Sequence, residues 1–301
     1  MEFRTVVDVD DPGFRIGACE EMLFVGSCFA DKIGARFTDE KFRTIVNPYG
    51  VMYNPASILH TISKLSIIRS AFLRPCGSKR SEIERPLGIA KNYQLSTIKA
   101  AFLTLGTNHV YILKETNEIV DNCEKRPQSL FIEKELSVDE CADYLQQSID
   151  LLRQLNPDIR IVITVSPIRY RKYGYHGSQL SKATLLLAVQ KVIDNCQLST
   201  VNYQLNYFPA YEIINDELRD YRFYAEDMLH PSAQAVEYIW QRFSEVYLSD
   251  AAKAFIKEWQ PIKAALNHKP FNPESQEYRI FMDKTMLKVA ELQKKYPNFA
   301  L

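Results

Sequence analysis

A serine near the N-terminus has a setting typical of a nucleophile. Ser27 follows an apolar run and a glycine, and apolar residues then recur every fourth position, which predicts a strand, a tight turn and a helix. The amides at the start of a helix can stabilise a developing oxyanion, and a neighbouring base can activate the hydroxyl. The simpler interpretation is that Ser27 only caps the helix, a commoner role for serine.

An acid and a histidine three residues apart offer the base. Asp227 and His230 precede a predicted helix over residues 232–247. An acid at this spacing can bind one imidazole nitrogen, fix the tautomer and leave the other nitrogen free to take a proton. The motif is short, and a surface loop with an incidental pair is the alternative.

Acyl transfer also needs hydrogen-bond donors for the oxyanion. Asn108 follows a predicted strand over residues 100–105 and could supply its side-chain amide, and Gly50 could supply a backbone N–H. Both are also ordinary turn residues. The signals at Ser27, at Gly50, at Asn108 and at the Asp227–His230 pair are each weak. Their order along one predicted parallel sheet makes a specific pattern.

At this point the sequence resembles a known family. FVGSCFA at residues 24–30 and NPYGVMYNP at residues 47–55 resemble the GSCFA-domain family, which is placed in the SGNH (GDSL-like) hydrolase superfamily. The resemblance covers roughly residues 1–250 and implies a three-layer α/β/α, flavodoxin-like fold. It also implies roles for particular residues. These are Ser27 as nucleophile, Asp227 and His230 as the acid–base pair, and Ser27, Gly50 and Asn108 as oxyanion donors, with Asn54 as the alternative to Gly50.

Neighbouring residues are candidates for secondary roles. Cys28 is a rival nucleophile, but we expect its side chain to lie in the sheet–helix interface as a small buried hydrophobe. Residues 169–176 form a basic, tyrosine-rich segment that could bind a sugar or an anion, or could be a solvated loop. Arg169 and Tyr173 are its candidate substrate-binding residues, and His109 is expected to line the same cleft.

Strands alternating with helices predict an α/β fold, with a parallel sheet covered on both faces and chemistry at the carboxyl ends of the strands. Residues 1–250 are expected to form the hydrolase domain, and residues 251–301 a helical extension packed on the core. The predicted strands cover residues 22–25, 44–46, 100–105, 111–113, 118–120, 159–165 and 200–208. The predicted helices cover residues 56–65, 137–155, 179–196 and 232–247, and residues 66–98 are expected to form loops with a short helix.

Composition excludes several classes of function. Of 301 residues, 37 are Lys or Arg and 37 are Asp or Glu, and this zero net charge argues against nucleic-acid binding. Six cysteines without paired Cys/His spacing argue against a zinc site, so no metal or cofactor is expected. The absence of a secretory signal and of an 18-residue apolar window predicts a cytoplasmic protein without membrane contact.

Three functions follow as hypotheses. The first is an esterase or deacylase acting on a small-molecule or carbohydrate acyl ester, a substrate suggested by the resemblance alone. The second is an acyltransferase with the same triad and a sugar or alcohol acceptor, and the third is a non-catalytic binding module on this fold. The sequence does not separate the first two and does not indicate the oligomeric state.

Overall fold

The computed structural model describes residues 4–72, 95–121, 123, 125–198, 204–299 and 301, and of residues 67–72 and 95 it describes the backbone alone. Its strands are β1 (Glu21–Gly26), β2 (Arg43–Val46), β3 (Ala100–Leu105), β4 (His109–Leu113), β5 (Glu118–Val120), β6 (Phe131–Glu135), β7 (Arg160–Val165) and β8 (Leu205–Tyr207). Its helices are α1 (Cys28–Asp39), α2 (Pro55–Phe72), α3 (Val138–Leu155), α4 (Gly174–Leu198), α5 (Ala210–Glu212), α6 (Ala233–Tyr247), α7 (Asp250–Leu266) and α8 (Gln276–Lys295).

The main sheet contains five parallel strands in the order β2-β1-β3-β7-β8. If only these five strands are numbered, the order is 2-1-3-4-5, the flavodoxin-like arrangement. The predicted fold class is therefore confirmed. A second, antiparallel sheet in the order β5-β4-β6 follows β3 directly.

Alternating side chains of the buried strands supply two separate cores. In β1, Leu23 and Val25 pack with α2, α3 and α4, whereas Met22 and Phe24 pack with α1, α6, α7 and α8. Phe24 stacks on Phe102 of β3 with ring centroids 4.5 Å apart. Helices thus cover both faces of the sheet, which gives three layers.

Some predicted boundaries were wrong. Helix α2 continues to Phe72, and α4 begins at Gly174, so Tyr175 and His176 lie in its first turn and not in a loop. Strand β6 was not predicted. Residues 73–94 and 199–203 lie outside the described residues, so much of the predicted loop region and the start of the last predicted strand cannot be compared.

Helix α7 lies against the end of α1, and α8 packs on α7. Trp259 of α7 is buried and its indole N–H donates to Asp39 O (3.1 Å). Phe255, Val289 and Leu292 belong to the same buried cluster as Phe24. Across the described part of the chain, no helix combines the length and apolar character needed to span a bilayer.

Candidate functional site

Ser27 lies where the strand order of the main sheet reverses. It follows β1, and Gly106 follows the neighbouring strand β3. A Cβ atom placed on Gly106 would lie 3.4 Å from Cβ of Ser27, so the two strand ends meet. In open α/β sheets this reversal point is where ligands bind, at the carboxyl ends of the strands.

The glycine before Ser27 is required by its surroundings. Gly26 has φ +146°, and a Cβ atom on it would lie 2.1 Å from Thr104 O. Only glycine permits β1 and β3 to approach this closely in this conformation. The Ser27 N–H then donates to the same carbonyl at 3.0 Å, which fixes the turn against β3.

The side chain of Ser27 caps helix α1. Its Oγ accepts a hydrogen bond from Phe29 N–H at 3.3 Å, and the residue is 1% exposed. The ring of Tyr53 lies close by, because the same Cβ position on Gly106 would be 3.2 Å from Tyr53 Cδ1. Ser27 is therefore buried at the strand end, with the ring of Tyr53 nearby.

The prediction for Cys28 was wrong. Cys28 is half-buried, and its Sγ lies 3.4 Å from the hydroxyl of Tyr53 instead of in the sheet–helix interface. The interface is filled by buried Phe29, Ile33 and Phe37, which recur along one face of α1. As the first residue of that helix, Cys28 points to its side, toward the segment that follows β2.

Asp227 and His230 form a hydrogen-bonded pair. Asp227 Oδ2 lies 2.5 Å from His230 Nδ1, and Asp227 Oδ1 accepts from the N–H groups of His230 and Leu229, each at 2.9 Å. The backbone N–H groups of His230 and Leu229, together with the imidazole, hold the pKa of Asp227 well below its usual range. The carboxylate thus shapes the turn and orients the imidazole, leaving Nε2 for chemistry.

Hydrogen bonds connect this turn to the end of β7. Arg169 N–H donates to Leu229 O at 3.1 Å, and the Arg169 guanidinium donates to Met228 O at 3.2 Å. Strand β7 is two strands away from β1, which corresponds to about 10 Å across the sheet. Among the described residues, Ser27 Oγ has Phe29 as its hydrogen-bond partner and not His230. The structure therefore joins Asp227 and His230 directly. Ser27 and His230 are not hydrogen-bonded to each other and only lie at the same edge of the sheet, the rim formed by the carboxyl ends of its strands.

Each of the three predicted oxyanion donors already has a partner. The Ser27 amide donates to Thr104 O, the Gly50 amide donates to Asn47 O at 2.8 Å, and Asn108 Nδ2 donates to Leu136 O at 2.8 Å. Asn108 is also only 3% exposed.

Asn54, the predicted alternative to Gly50, has a different environment. Its Oδ1 accepts from Ser57 N–H at 2.9 Å at the start of α2, and the residue lines a cavity together with Tyr53. With its oxygen used in this way, the Asn54 amide group remains to donate to a ligand in the cavity.

The sequence analysis missed Asn47. This residue accepts from Gly26 N–H at 2.9 Å through Oδ1 and donates to Asp31 Oδ1 at 2.6 Å through Nδ2. It thereby ties the turn after β2 to the turn before Ser27 and to α1. The only signal was its position as first residue of the NPYG motif.

Lys182 was also missed. It is 2% exposed, and its ammonium group donates to Gly106 O at 2.7 Å and Ser166 O at 2.8 Å, the residues that follow β3 and β7. Burial lowers the pKa of Lys182 to about 7. The preceding residue, Ser181, accepts from Asn108 N–H at 3.0 Å. This part of α4 therefore joins the segment that follows β3 to the segment that follows β7.

Lys182 should make stability depend on pH. From about pH 7 to the ordinary lysine pKa of 10.5, the unfolded chain keeps a proton that the folded protein has lost, so stability rises with pH in that window. We expect the free energy of unfolding to rise by up to about 1.4 kcal/mol per pH unit between pH 7 and 9, and Lys182→Met to lose this increment. Urea unfolding at each pH measures the difference between the two proteins. Lys191→Met, an exposed change on the same helix, should keep the wild-type slope, and an identical slope in Lys182→Met would contradict the prediction.

A cavity of about 670 Å³ opens next to Tyr53 and Thr107, and Ser27 is not one of its lining residues. It lies among β4, β6, the start of α2 and the segment after β7. Its lining residues are Val51, Tyr53, Asn54, Thr107, His109, Tyr111, Val120, Asp121, Cys123, Lys125, Arg126, Gln128, Phe131, Glu133, Tyr170, Lys172 and Tyr173.

The four predicted substrate-binding residues divide between two places. Asn54, His109 and Tyr173 line the cavity, and the rings of His109 and Tyr173 stack with centroids 3.5 Å apart. Burial lowers the pKa of His109, which favours the neutral imidazole. Arg169 instead holds the turn of His230, and its guanidinium lies over the ring of Tyr175 at 4.4 Å. Within the described ranges, no group of three His, Cys, Asp or Glu side chains could hold a metal ion.

Comparisons with known proteins give a family and several distant folds. The model of the GSCFA family matches residues 21–71 and 83–243, and that of the GSCFA domain protein, C-terminal domain, matches residues 259–301. A search of curated proteins finds no match.

Similar solved structures include three esterases. A carbohydrate esterase family 2 enzyme with a carbohydrate binding domain from Corynascus thermopiles (Myceliophthora fergusii) has 10% identity, covering 80% of this chain and 68% of that chain, with a TM-score of 0.42. The acetyl xylan esterase Est2A from Butyrivibrio proteoclasticus has 11% identity, covering 82% of this chain and 64% of that chain, with a TM-score of 0.39. A carbohydrate esterase family 3 structure from Talaromyces cellulolyticus has 12% identity, covering 79% of this chain and 99% of that chain, with a TM-score of 0.33.

Proposed function

The chain belongs to the GSCFA family, and we propose that it is a serine-dependent acyl ester hydrolase. The observation that supports this most is the Asp227–His230 pair, with a 2.5 Å contact between carboxylate and imidazole, on the same rim as Ser27. A carboxylate that orients a histidine is the arrangement that a serine nucleophile needs.

The proposed reaction has two steps. The turn of His230 moves toward Ser27 so that Nε2 comes within hydrogen-bond reach of Ser27 Oγ. Nε2 then takes the proton from Ser27 Oγ, which attacks the acyl carbonyl. The protonated imidazole, stabilised by ionised Asp227, then gives this proton to the departing alcohol oxygen. Water, activated by His230, attacks the acyl-enzyme in the second step and restores Ser27.

For the oxyanion we propose two donors beside the serine. The first is the amide of Cys28, the first N–H of α1, because the opening amides of a helix have no partner within the helix. The second is the side-chain amide of Asn54, whose oxygen is already held by Ser57. In this proposal Gly50 and Asn108 do not donate to the oxyanion but stabilise the segments next to Ser27, through their hydrogen bonds to Asn47 O and Leu136 O.

Labelling with a fluorophosphonate tests this function. We expect the folded protein to hydrolyse p-nitrophenyl acetate and to take up one probe molecule, which peptide mapping should place on Ser27. Ester hydrolysis that persists in Ser27→Ala and is lost in Cys28→Ala would assign the reaction to the rival nucleophile. A folded protein that neither reacts with the probe nor hydrolyses the ester would favour the non-catalytic binding module.

An acyltransferase with the same triad is the second candidate. Two observations favour it: Ser27 is nearly inaccessible to water, and the neighbouring cavity is large enough for an acceptor. The two activities differ in where the acyl group goes. If added sugar or alcohol diverts the acyl group away from water in a saturable manner, the enzyme is a transferase.

A further inference from the structure

The second sheet forms one wall of the cavity. Residues two apart on a strand, and residues directly opposite each other on paired strands, lie on the same face of a sheet. The lining residues of this sheet follow that rule, so a single face of it borders the cavity. They are His109 and Tyr111 of β4, Val120 of β5, and Phe131 and Glu133 of β6.

This wall leads away from the proposed nucleophile. Thr107 lies at one end of it, one residue after Gly106, which adjoins Ser27 where β3 and β1 end. Strand β4 then continues over five residues, about 13 Å, to the position opposite Phe131. A ligand that fills the cavity therefore extends from the neighbourhood of Ser27 to a second end at Phe131.

Both carboxylates that line the cavity are held by lysines. Glu133 accepts from Lys172 Nζ at 3.2 Å and from the Tyr111 hydroxyl at 3.0 Å. Asp121 accepts from Lys64 Nζ at 2.7 Å, and Lys64 is not itself a lining residue. Each negative charge of the lining is therefore compensated by a lysine.

Two cations of the lining have no carboxylate partner. Lys125 and Arg126 form no ion pair within the described part of the chain. A turn closed by Arg126 N–H and Cys123 O, 2.9 Å apart, holds them side by side, and the Arg126 guanidinium lies 5.2 Å from the ring centroid of Phe131. The end of the cavity at Phe131 is therefore positive, and a concave surface concentrates the field of such charges.

The thiol of Cys123, another lining residue, responds to the same charges. Burial raises its pKa, whereas Lys172 and Arg126 lower it and Glu133 raises it. Charges have such an effect on a thiol only when they are near it, so the guanidinium and the Lys172 ammonium lie around one part of the cavity. A guanidinium can donate two parallel hydrogen bonds to a carboxylate or a phosphate, which suits this end to an anion.

We propose that the cavity binds an anionic ligand, with a carboxylate or phosphate group held by Lys125 and Arg126. The rest of the ligand lies along the face of β4 and β6, toward Tyr53 and Thr107. Its role as substrate, an acyl ester whose anionic group is remote from the ester bond, rests on the proposed function. Its binding does not require Ser27 to react.

Calorimetric titration of the full chain with phenylacetate, phenyl phosphate and uncharged phenylacetamide tests this proposal. We expect at least one anion to bind about tenfold or more tightly than the amide. The double variant Lys125→Gln/Arg126→Gln should weaken anion binding by about tenfold or more and leave amide binding unchanged. Both residues are exposed, so this variant should fold.

The matched control is Lys284→Gln/Lys288→Gln, which removes the same charge from two exposed lysines of α8 outside the lining. It should bind the anions as the unsubstituted protein does. Whichever anion binds more tightly identifies the group as a carboxylate or a phosphate. The proposal is overturned if neither anion binds at about 10 mM, if the amide binds as tightly as both anions, or if the two double variants weaken binding equally.

Two acetyl esters, those of 4-hydroxyphenylacetate and 4-hydroxyphenylacetamide, test the ligand's role as substrate. We expect kcat/KM to be about tenfold or more higher for the anionic ester, and Lys125→Gln/Arg126→Gln to abolish this preference. Ser27→Ala should still bind the anions. Anion binding without hydrolysis of either ester would contradict the proposed function alone, whereas equal hydrolysis of both esters without anion binding would contradict the anion site alone.

Discussion

Replacing Ser27 with alanine should reduce kcat for p-nitrophenyl acetate by about 10⁴-fold or more, because the proposed acyl-enzyme forms on Ser27 Oγ. The same change should cost only about 1 kcal/mol of unfolding free energy, since it removes one helix cap, the hydrogen bond from Phe29 N–H. Steady-state kinetics and urea unfolding of one preparation measure both effects.

A second capping serine provides the control. Ser275 accepts a hydrogen bond from Tyr278 N–H at 3.1 Å at the start of α8, so Ser275→Ala also removes a cap. This variant should lose a similar amount of stability and keep wild-type kcat. Equal kinetics in the two variants would mean that Ser27 is only a cap, and the proposed function would have to be abandoned.

The parts of the site that the sequence predicted are those formed by short-range contacts. The hydrogen bonds of Asp227 with Leu229 and His230 span no more than three residues, so the spacing indicated that the pair could form, and the order of the motifs and the family resemblance favoured it over an incidental pair. The turn at Ser27 was similarly evident from a strand, a glycine and a helical stripe in succession. The order of these elements also predicted the parallel sheet, because buried parallel strands are uniformly apolar.

Contacts between distant segments could not be predicted in the same way. The hydrogen bonds of Lys182 with Gly106 and Ser166 depend on how α4 lies across two strand ends, which no local pattern encodes. The partners of the Ser27 and Asn108 amide groups are equally remote in sequence. The wrong prediction for Cys28 has the same cause. Its side chain lies against Tyr53, and no local pattern around Cys28 indicates where Tyr53 lies.

Replacing Gly26 with alanine should be the most destabilising single substitution at this rim. The new Cβ would lie 2.1 Å from Thr104 O, a main-chain atom in the middle of the sheet that cannot move without separating β1 from β3. We expect a loss of about 4 kcal/mol or more of unfolding free energy, or a protein that does not fold. Urea unfolding, or circular dichroism if no native protein remains, measures this loss.

Gly50→Ala separates two contributions to that loss, the clash of the new Cβ with Thr104 O and the cost of a positive φ for alanine. Gly50 also has a positive φ, +92°, but a Cβ atom on it would meet nothing within 4 Å. This variant carries the conformational cost alone, about 1 kcal/mol, and should fold normally. If Gly26→Ala were no more destabilising than Gly50→Ala, the close approach of β1 and β3 would not constrain the turn. That approach could then not be what fixes Ser27 at the reversal point of the sheet.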